Sequence, residues 1–324
     1  MTSVDRTFGK YLEEIMANIK LFALNGNYPL AEKVAASLNM ELSPASVKHF
    51  ADGEIQIDID KSIRGADVYV IQSVSDPVNE NFMELMIMVD ALRRASAHLI
   101  NVVIPYYGYA RADRKARARE PITAKMIANM IEMDGVNRVI TVDLHADQVQ
   151  GFFDIPVDHL RALPLIAHYF IDNKITDNVV AIAPDHSGTK LARKLAEHLG
   201  APLAIVDARP GEQNVGVIGD VAGKTAIIVD DMIDTATRIE ESVIALQEAG
   251  AKDIYAIATH AVLSAGAATR LSKLPLQKIV VTDTINIPEE KCLPNMVQLS
   301  VGELIGNAID RISKNESIHD LFED

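Results

Sequence analysis

Short apolar segments that alternate with amphipathic helical segments restrict the fold of this chain more than any other feature. The segments predicted as strands are Val68–Gln72, Leu99–Ile104, Val139–Leu144, Val179–Ala183, Thr225–Val229 and Ile254–Thr259. The segments predicted as helices are Asn79–Ala97, a stretch from Pro121 to near Gly135, Thr189–Leu199 and Ile239–Ala249. Strands that alternate with helices require crossover connections and form mostly parallel sheets with helices on their faces. We therefore predict an α/β fold.

The two halves of the chain resemble each other around one strand. The segments Gly135–Ala146 and Gly250–Ala261 align with their Gly and their final His-Ala in register. Helix–glycine–strand units can look alike by chance, but the matched His-Ala after each strand favours a duplication. We predict two related domains, residues 1–160 and 161–324, each long enough to bury its own core.

Composition excludes several classes of protein. The net charge of −14 opposes binding to nucleic acid and to anionic membranes. A single cysteine, Cys292, provides neither a disulfide framework nor a cysteine-based metal site. No apolar run approaches the length that spans a bilayer, and residues 1–20 carry charges throughout. We expect a cytoplasmic protein that has no nucleic-acid or membrane partner.

The strand Thr225–Val229 leads directly into the first candidate site. Two carboxylates, Asp230 and Asp231, follow it, and then comes the loop Asp234-Thr235-Ala236-Thr237-Arg238. Ligands of open parallel sheets bind beyond the carboxyl ends of the strands, and a helix N-terminus attracts phosphate. Asp234 and Thr235 could serve only as a helix cap. Two adjacent acids at a strand end are not needed for a cap, and this favours a ligand site.

A cluster of cations follows the strand Leu99–Ile104. It consists of Arg111, Arg114, Lys115, Arg117 and Arg119. Guanidinium groups pair bidentately with phosphate oxygens, so the cluster suits a polyphosphate. A basic loop that only faces solvent is the alternative. One basic loop in an acidic chain lacks the extended basic face of a nucleic-acid-binding protein.

Two further segments become informative only in combination. His145 and Asp185 each follow a predicted strand, where they could hold a hard cation such as Mg²⁺. A histidine in such a place is more often structural. Asp52-Gly53-Glu54 marks a turn and by itself indicates nothing more.

Taken together and in this order, these segments resemble the ribose-phosphate pyrophosphokinase family over nearly the whole chain. The resemblance rests on segments such as His49–Ile57, Ile104–Arg111, Gly151–Leu160 and Val229–Thr235. It implies two type I phosphoribosyltransferase-like domains, each a mostly parallel sheet flanked by helices. It also implies a homo-oligomer, a hexamer, that uses Mg²⁺ to transfer diphosphate from ATP to ribose 5-phosphate.

The resemblance also implies a role for each matched residue. Asp52, Gly53, Glu54, Arg111 and the position of Ala112 would contact ATP, and His145 and Asp185 would serve Mg²⁺. The residues that would hold ribose 5-phosphate are Asp230, Asp231, Asp234, Thr235, Ala236, Thr237 and Arg238. Arg209 would be the catalytic residue.

The catalytic loop departs from the family pattern. The family reads Asp-Lys-Arg-Arg where this chain reads Asp207-Ala208-Arg209-Pro210, so the catalytic Lys and the second Arg are absent from their positions. One donor that stabilises developing charge is typically worth about 10²–10³ in rate. The loss suggests a catalytically impaired paralogue, or a non-catalytic subunit that hetero-oligomerises with an active synthetase.

The ligand loops depart as well. Ala112 replaces a Gln, Thr237 replaces a Gly that lets backbone approach phosphate, and Arg238 replaces a Thr. We expect strain at Thr237 if that position requires a positive φ. Arg238 could grip a phosphate or fill the pocket. A phosphoribosyltransferase that acts on a base would also use the acid pair, but the basic loop and Asp52-Gly53-Glu54 favour ATP.

Overall fold

The computed structural model describes residues 19–207 and 216–321. Their contacts divide into two units. Residues 19–160 and 301–321 form the first, here the N-unit; residues 161–207 and 216–300 form the second, the C-unit. The second predicted domain was residues 161–324, whereas the contacts group residues 301–321 with the N-unit. Arg209, with Ala208 and Pro210, lies outside the described residues.

The N-unit is built on a five-stranded parallel sheet. Its strands, in spatial order, are β1 (Ile19–Ala23), β4 (Asp67–Ile71), β5 (Leu99–Ile104), β6 (Arg138–Val142) and β7 (Val157–Leu160). A separate antiparallel hairpin pairs β2 (Ala45–His49) with β3 (Ile55–Ile59). The helices are α1 (Tyr28–Ser37), α2 (Val78–Arg94) and α3 (Thr123–Met133), joined by α8 (Gly302–Ser313) from the end of the chain.

The C-unit contains a seven-stranded sheet. Its spatial order is β10 (Gly216–Ile218), β9 (Leu203–Asp207), β8 (Val179–Ala183), β11 (Thr225–Ile233), β12 (Asp253–Ala261), β13 (Ile279–Thr282) and β14 (Met296–Leu299). The β9–β10 pair is antiparallel and the other pairs are parallel. Its helices are α4 (Leu163–Asp172), α5 (Thr189–Leu199), α6 (Thr237–Glu248) and α7 (Ala267–Leu271).

Branched aliphatic residues fill both sheets because parallel strands are buried on both faces. In the N-unit, Val70, Val102 and Val139 pack with Leu85 and Met88 of α2. In the C-unit, apolar residues of β8 and β11 pack on both faces of the sheet. Within the described residues, no helix is both long and apolar enough to cross a membrane.

Most predicted elements are confirmed, and three differences affect the sites. The strand after Thr225 continues four residues beyond Val229, to Ile233, because its backbone stays paired with β12. The helix predicted from Pro121 begins two residues later, at Thr123. The helix predicted from Ile239 begins earlier, at Thr237.

Candidate active site

The adjacent acids of the C-unit lie within the last part of strand β11. Asp230 is opposite Ala258 of β12, in the ladder that runs to Ile233. The two carboxyl groups interact directly: the Asp231 N–H donates to Oδ1 of Asp230 at 3.0 Å, and the Asp231 side chain forms a hydrogen bond with that of Asp230. Asp230 is buried, with 7% of its surface exposed, and Asp231 is partly buried. The acid pair therefore belongs to a rigid strand rather than to the loop that the sequence predicted.

Arg238 joins two strand ends of the C-unit. Its Nη1 lies 2.9 Å from Oδ2 of Asp185, and its Nη2 lies 2.9 Å from Oδ2 of Asp230. Strands β8 and β11 are neighbours in the sheet, with Ile182 opposite Ile228, so Asp185 and Asp230 emerge side by side. We call this three-residue arrangement the Arg238 bridge. It brings together a residue predicted to serve Mg²⁺ and two predicted to hold ribose 5-phosphate.

The environment treats the two bridged carboxyl groups differently. Burial and the charge of Asp231 raise the pKa of Asp230 to about 8, although Arg238 opposes the shift. Partial burial also works against ionisation of Asp185, but hydrogen bonds from the Ser187 side chain, Arg238 and a backbone N–H outweigh it and hold its pKa below the usual range. Asp185 is thus the fixed anion of the bridge, while Asp230 gains full charge only in alkaline solution.

The loop between β11 and α6 has the local geometry of an anion site. Ala236 adopts a left-handed conformation with φ 61° and ψ 12°, which turns the chain into α6. The hydroxyl groups of Thr235 and Thr237 lie 3.1 Å apart. Asp234 accepts a hydrogen bond from the Ser264 hydroxyl. The positive φ falls on Ala236 and not on Thr237, so the strain predicted at Thr237 does not arise.

Two residues at this loop escaped the sequence analysis. Nη1 of Arg270, on α7, donates to the carbonyl of Thr235 at 2.6 Å and to Oγ1 of Thr237 at 3.1 Å. Its Nε lies 2.9 Å from Oε2 of Glu240 on α6. Ser264 follows β12, next to Asp234. The sequence did contain a signal for this position. The Ser-Ala-Gly stretch after β12 is a loop at a strand end, like the loops that the sequence analysis selected as candidate sites.

The predicted ATP turn, Asp52-Gly53-Glu54, is the exposed tip of the β2–β3 hairpin. Gly53 has φ 92°, a conformation that favours glycine. The carboxylate of Asp52 accepts the Glu54 N–H at 3.1 Å. The hairpin is attached to α2 through His49, whose Nε2 lies 2.7 Å from Oε1 of the fully buried Glu84.

The basic loop also belongs to the N-unit and follows β5. Arg111 is exposed, and the cations from Arg114 to Arg119 are exposed as well. Ala112 accepts the Ala124 N–H at the start of α3. Asp113 accepts a hydrogen bond of 2.8 Å from Gln148. The exposed guanidinium groups follow a loop start that these two hydrogen bonds anchor, and guanidinium groups can pair bidentately with phosphate oxygens.

The two predicted Mg²⁺ residues belong to different units. His145 is exposed in the N-unit, whereas Asp185 is in the C-unit. Within the described residues, no group of three or more His, Cys, Asp or Glu side chains is arranged to hold a metal. Oδ1 of Asp185 accepts the backbone N–H groups of Ser187 and Gly188, and Oδ2 accepts Arg238. In this conformation Asp185 does not fit a Mg²⁺ ligand, because the cation Arg238 already occupies its Oδ2 and Mg²⁺ would have to displace it.

A parallel strand that carries an acid pair near its end, followed by a tight loop and a helix N-terminus, places this chain among α/β proteins with phosphoribosyltransferase-like domains. The sequence matches the N-terminal domain of ribose phosphate pyrophosphokinase over residues 19–135 and the phosphoribosyl synthetase-associated domain over residues 180–323. The chain belongs to the ribose-phosphate pyrophosphokinase family. The predicted family and fold class are therefore confirmed.

Individual relatives match this chain over nearly their whole length. A protein of Lactiplantibacillus plantarum named putative ribose-phosphate pyrophosphokinase 2 is 57% identical over 315 residues, which cover 96% of this chain and 98% of the relative. Ribose-phosphate pyrophosphokinase 2 of Enterococcus faecalis is 58% identical over 310 residues, covering 94% and 96%. The crystal structure of phosphoribosylpyrophosphate synthetase from Mycobacterium smegmatis superposes with a TM-score of 0.89 at 42% identity, covering 92% of this chain and 99% of that one.

Proposed function

We propose that this protein is a ribose-phosphate diphosphokinase. The C1 oxygen of ribose 5-phosphate forms a bond to the β-phosphorus of ATP, and the bond from that phosphorus to the α–β bridging oxygen breaks. The products are phosphoribosyl diphosphate and AMP, and the C1 hydroxyl proton is lost to solvent. The observation that carries the proposal is the strand end Asp230–Asp231 with its phosphate-type loop, in a chain that spans its family relatives.

The C-unit would hold the sugar phosphate. Carboxylates such as Asp231 accept hydrogen bonds from ribose hydroxyls, and the segment Asp234–Arg238 offers backbone N–H groups and a helix N-terminus to the 5-phosphate. Arg270 fixes the shape of that loop through the Thr235 carbonyl. Phosphoryl transfer depends mainly on positioning and charge stabilisation, and a rigid strand end supplies the first of these.

The N-unit would hold ATP. Asp52, Gly53 and Glu54 lie on an anchored hairpin, while Arg111 and the cations after Ala112 lie on a loop that can surround a triphosphate. Mg²⁺ enters this proposal as the counter-ion of ATP. His145 remains a candidate for contact with that ion. We propose that the active species is a homo-oligomer, a hexamer as in the family.

The experiment that tests the function is AMP release from Mg·ATP in the presence and absence of ribose 5-phosphate. We expect release that requires ribose 5-phosphate. The double variant Ala208→Lys/Pro210→Arg restores two cations of the catalytic loop and should raise the rate by at least about 10²-fold. Absence of AMP from both proteins would contradict the proposal, as would AMP release that ignores the sugar phosphate.

The Arg238 bridge favours a second candidate function. A guanidinium that already engages Asp230 competes with ribose hydroxyls for that carboxylate. A chain with such a site, and with Ala208 in place of the catalytic Lys, could serve as a non-catalytic subunit of an active paralogue. Mixing it with an active family member distinguishes the two functions: a non-catalytic subunit changes the partner's rate and co-elutes with it while releasing no AMP alone.

A further inference from the structure

The Arg238 bridge places a covalently tethered cation between two strand ends. Arg238 is the second residue of α6, and its guanidinium reaches Asp185 through Nη1 and Asp230 through Nη2. A planar guanidinium presents N–H donors in a fixed fork, so it can hold two carboxyl groups at once. It also remains charged at every pH near neutrality. The two strand ends therefore share a permanent cation.

The carboxylate of Asp185 is held so that only one oxygen faces the bridge. Its Oδ1 accepts the N–H groups of Ser187 and Gly188 at 2.8 and 3.0 Å. Its Oδ2 accepts Nη1 of Arg238 at 2.9 Å. A Mg²⁺-like ion needs oxygen ligands in near-octahedral geometry. To bind here it would have to displace the guanidinium, since the fixed oxygen points into the backbone N–H groups.

Asp230 makes that displacement harder. It is almost fully buried, and its Oδ2 is the atom that contacts Arg238. A metal ion that bound in place of Arg238 would lie close to a cation of the same sign, because Arg238 is anchored at the second position of α6. Repulsion between two unit charges about 4 Å apart near a protein surface is on the order of several kcal/mol.

We propose that Arg238 is the resident cation of the C-unit site and keeps divalent cations off Asp185 and Asp230. The inference rests on the proposed function only for the identity of the anionic ligand, which is ribose 5-phosphate. The C-unit site would bind that ligand without a metal ion of its own. The exclusion of the metal follows from the bridge itself. Arg238 is thus a determinant of ligand specificity, which favours a phosphate monoester over a metal–phosphate complex in the C-unit.

The experiment measures binding of Mn²⁺ alone at pH 8.0 by electron paramagnetic resonance, without nucleotide or sugar. Arg238→Met keeps a long side chain and removes the charge. We expect this variant to gain a Mn²⁺ site that binds more than about tenfold more tightly than the same site in the unaltered protein. Adding Asp185→Asn should abolish the gain. Arg193→Met, on the exposed face of α5, changes the net charge equally and should gain nothing.

Two results would overturn the inference. One is equal Mn²⁺ binding by the unaltered protein and Arg238→Met, and the other is a gained site that survives Asp185→Asn. If Arg238→Met does not fold, Asp185→Asn alone decides, since it should leave Mn²⁺ binding unchanged if Arg238 already excludes the ion. None of these measurements uses ATP or ribose 5-phosphate, so failure of the diphosphokinase assay leaves them interpretable.

Discussion

Asp230 shows how strongly a single residue of the site depends on its surroundings. Its pKa, raised to about 8 by burial and by Asp231, lies far above the ordinary aspartate value of 3.8. The folded protein therefore keeps a proton over a pH range in which the unfolded chain has lost it. The resulting stabilisation is complete below the unfolded pKa and is lost as the pH rises through 8.

The loss of this stabilisation at alkaline pH can be measured. Between pH 7 and pH 9 the free energy of unfolding should fall by about 1 kcal/mol because of Asp230. Asp230→Asn carries no titrating group at this position and should lack that fall, whereas the exposed Asp177→Asn should behave like the unaltered protein. Urea unfolding of the full chain at the two pH values measures the difference. Parallel behaviour of Asp230→Asn and the unaltered protein would contradict the assignment.

At the scale of secondary structure, one buried carboxylate connects a hairpin to a helix. Glu84 of α2 accepts hydrogen bonds from the N–H and the side chain of Asn25 at 3.1 and 2.7 Å, from Gln72 at 3.0 Å and from His49 at 2.7 Å. Its side chain is 1% exposed. Every contact in this group uses Glu84 as an acceptor, so the position requires a carboxylate.

Glu84→Gln tests that requirement. The new amide places an NH₂ group against donors and leaves at least one of them unpaired, which should lower the free energy of unfolding by about 1–3 kcal/mol. Amide exchange should increase in the hairpin tip Phe50–Glu54. Glu80→Gln is the matched control, because Glu80 is exposed and its carboxylate lies 3.9 Å from His49 Nδ1. Equal effects of the two substitutions would mean that the network does not hold the hairpin.

The elements that the sequence predicted to the residue are those with a local signature. Val179–Ala183 is an uninterrupted apolar run, Leu99–Ile104 is apolar except for Asn101, and Thr189–Leu199 ends at Gly200, which adopts φ 60°. The end of β11 was missed because two acids look like a loop, whereas pairing with β12 continues past them. The Arg238 bridge could not be predicted, because it depends on the approach of two strand ends in space.

At the scale of the whole molecule, the last helix of the chain, α8, belongs to the N-unit rather than to the C-unit that precedes it in sequence. Helix α8 packs against α1, although the two are far apart in the chain: the Ser37 hydroxyl donates to the carbonyl of Gly302, 265 residues further on. The amphipathic pattern of α8 predicts a buried face but not the unit that covers it. This is why the sequence placed residues 301–324 with the second domain.

The close approach of α8 to α1 is made at Gly306. A Cβ atom at this position would lie 1.9 Å from Ser37 Oγ and 3.1 Å from Ser37 Cβ. Gly306→Val should therefore force the helices apart and cost about 1–3 kcal/mol of unfolding free energy. Gly151→Val is the matched control, since a Cβ at Gly151 meets nothing within 4 Å.

Hydrogen exchange shows which unit depends on the helix. If α8 completes the N-unit, Gly306→Val should accelerate amide exchange in α1 and β1, while β11 and β12 of the C-unit keep their protection. Accelerated exchange in β11 and β12 alone would instead assign α8 to the C-unit. Accelerated exchange in α1 and β1 and also in β11 and β12 would mean that the two units unfold cooperatively. A defect confined to α1 and α8 would otherwise not affect β11, the strand that carries Asp230.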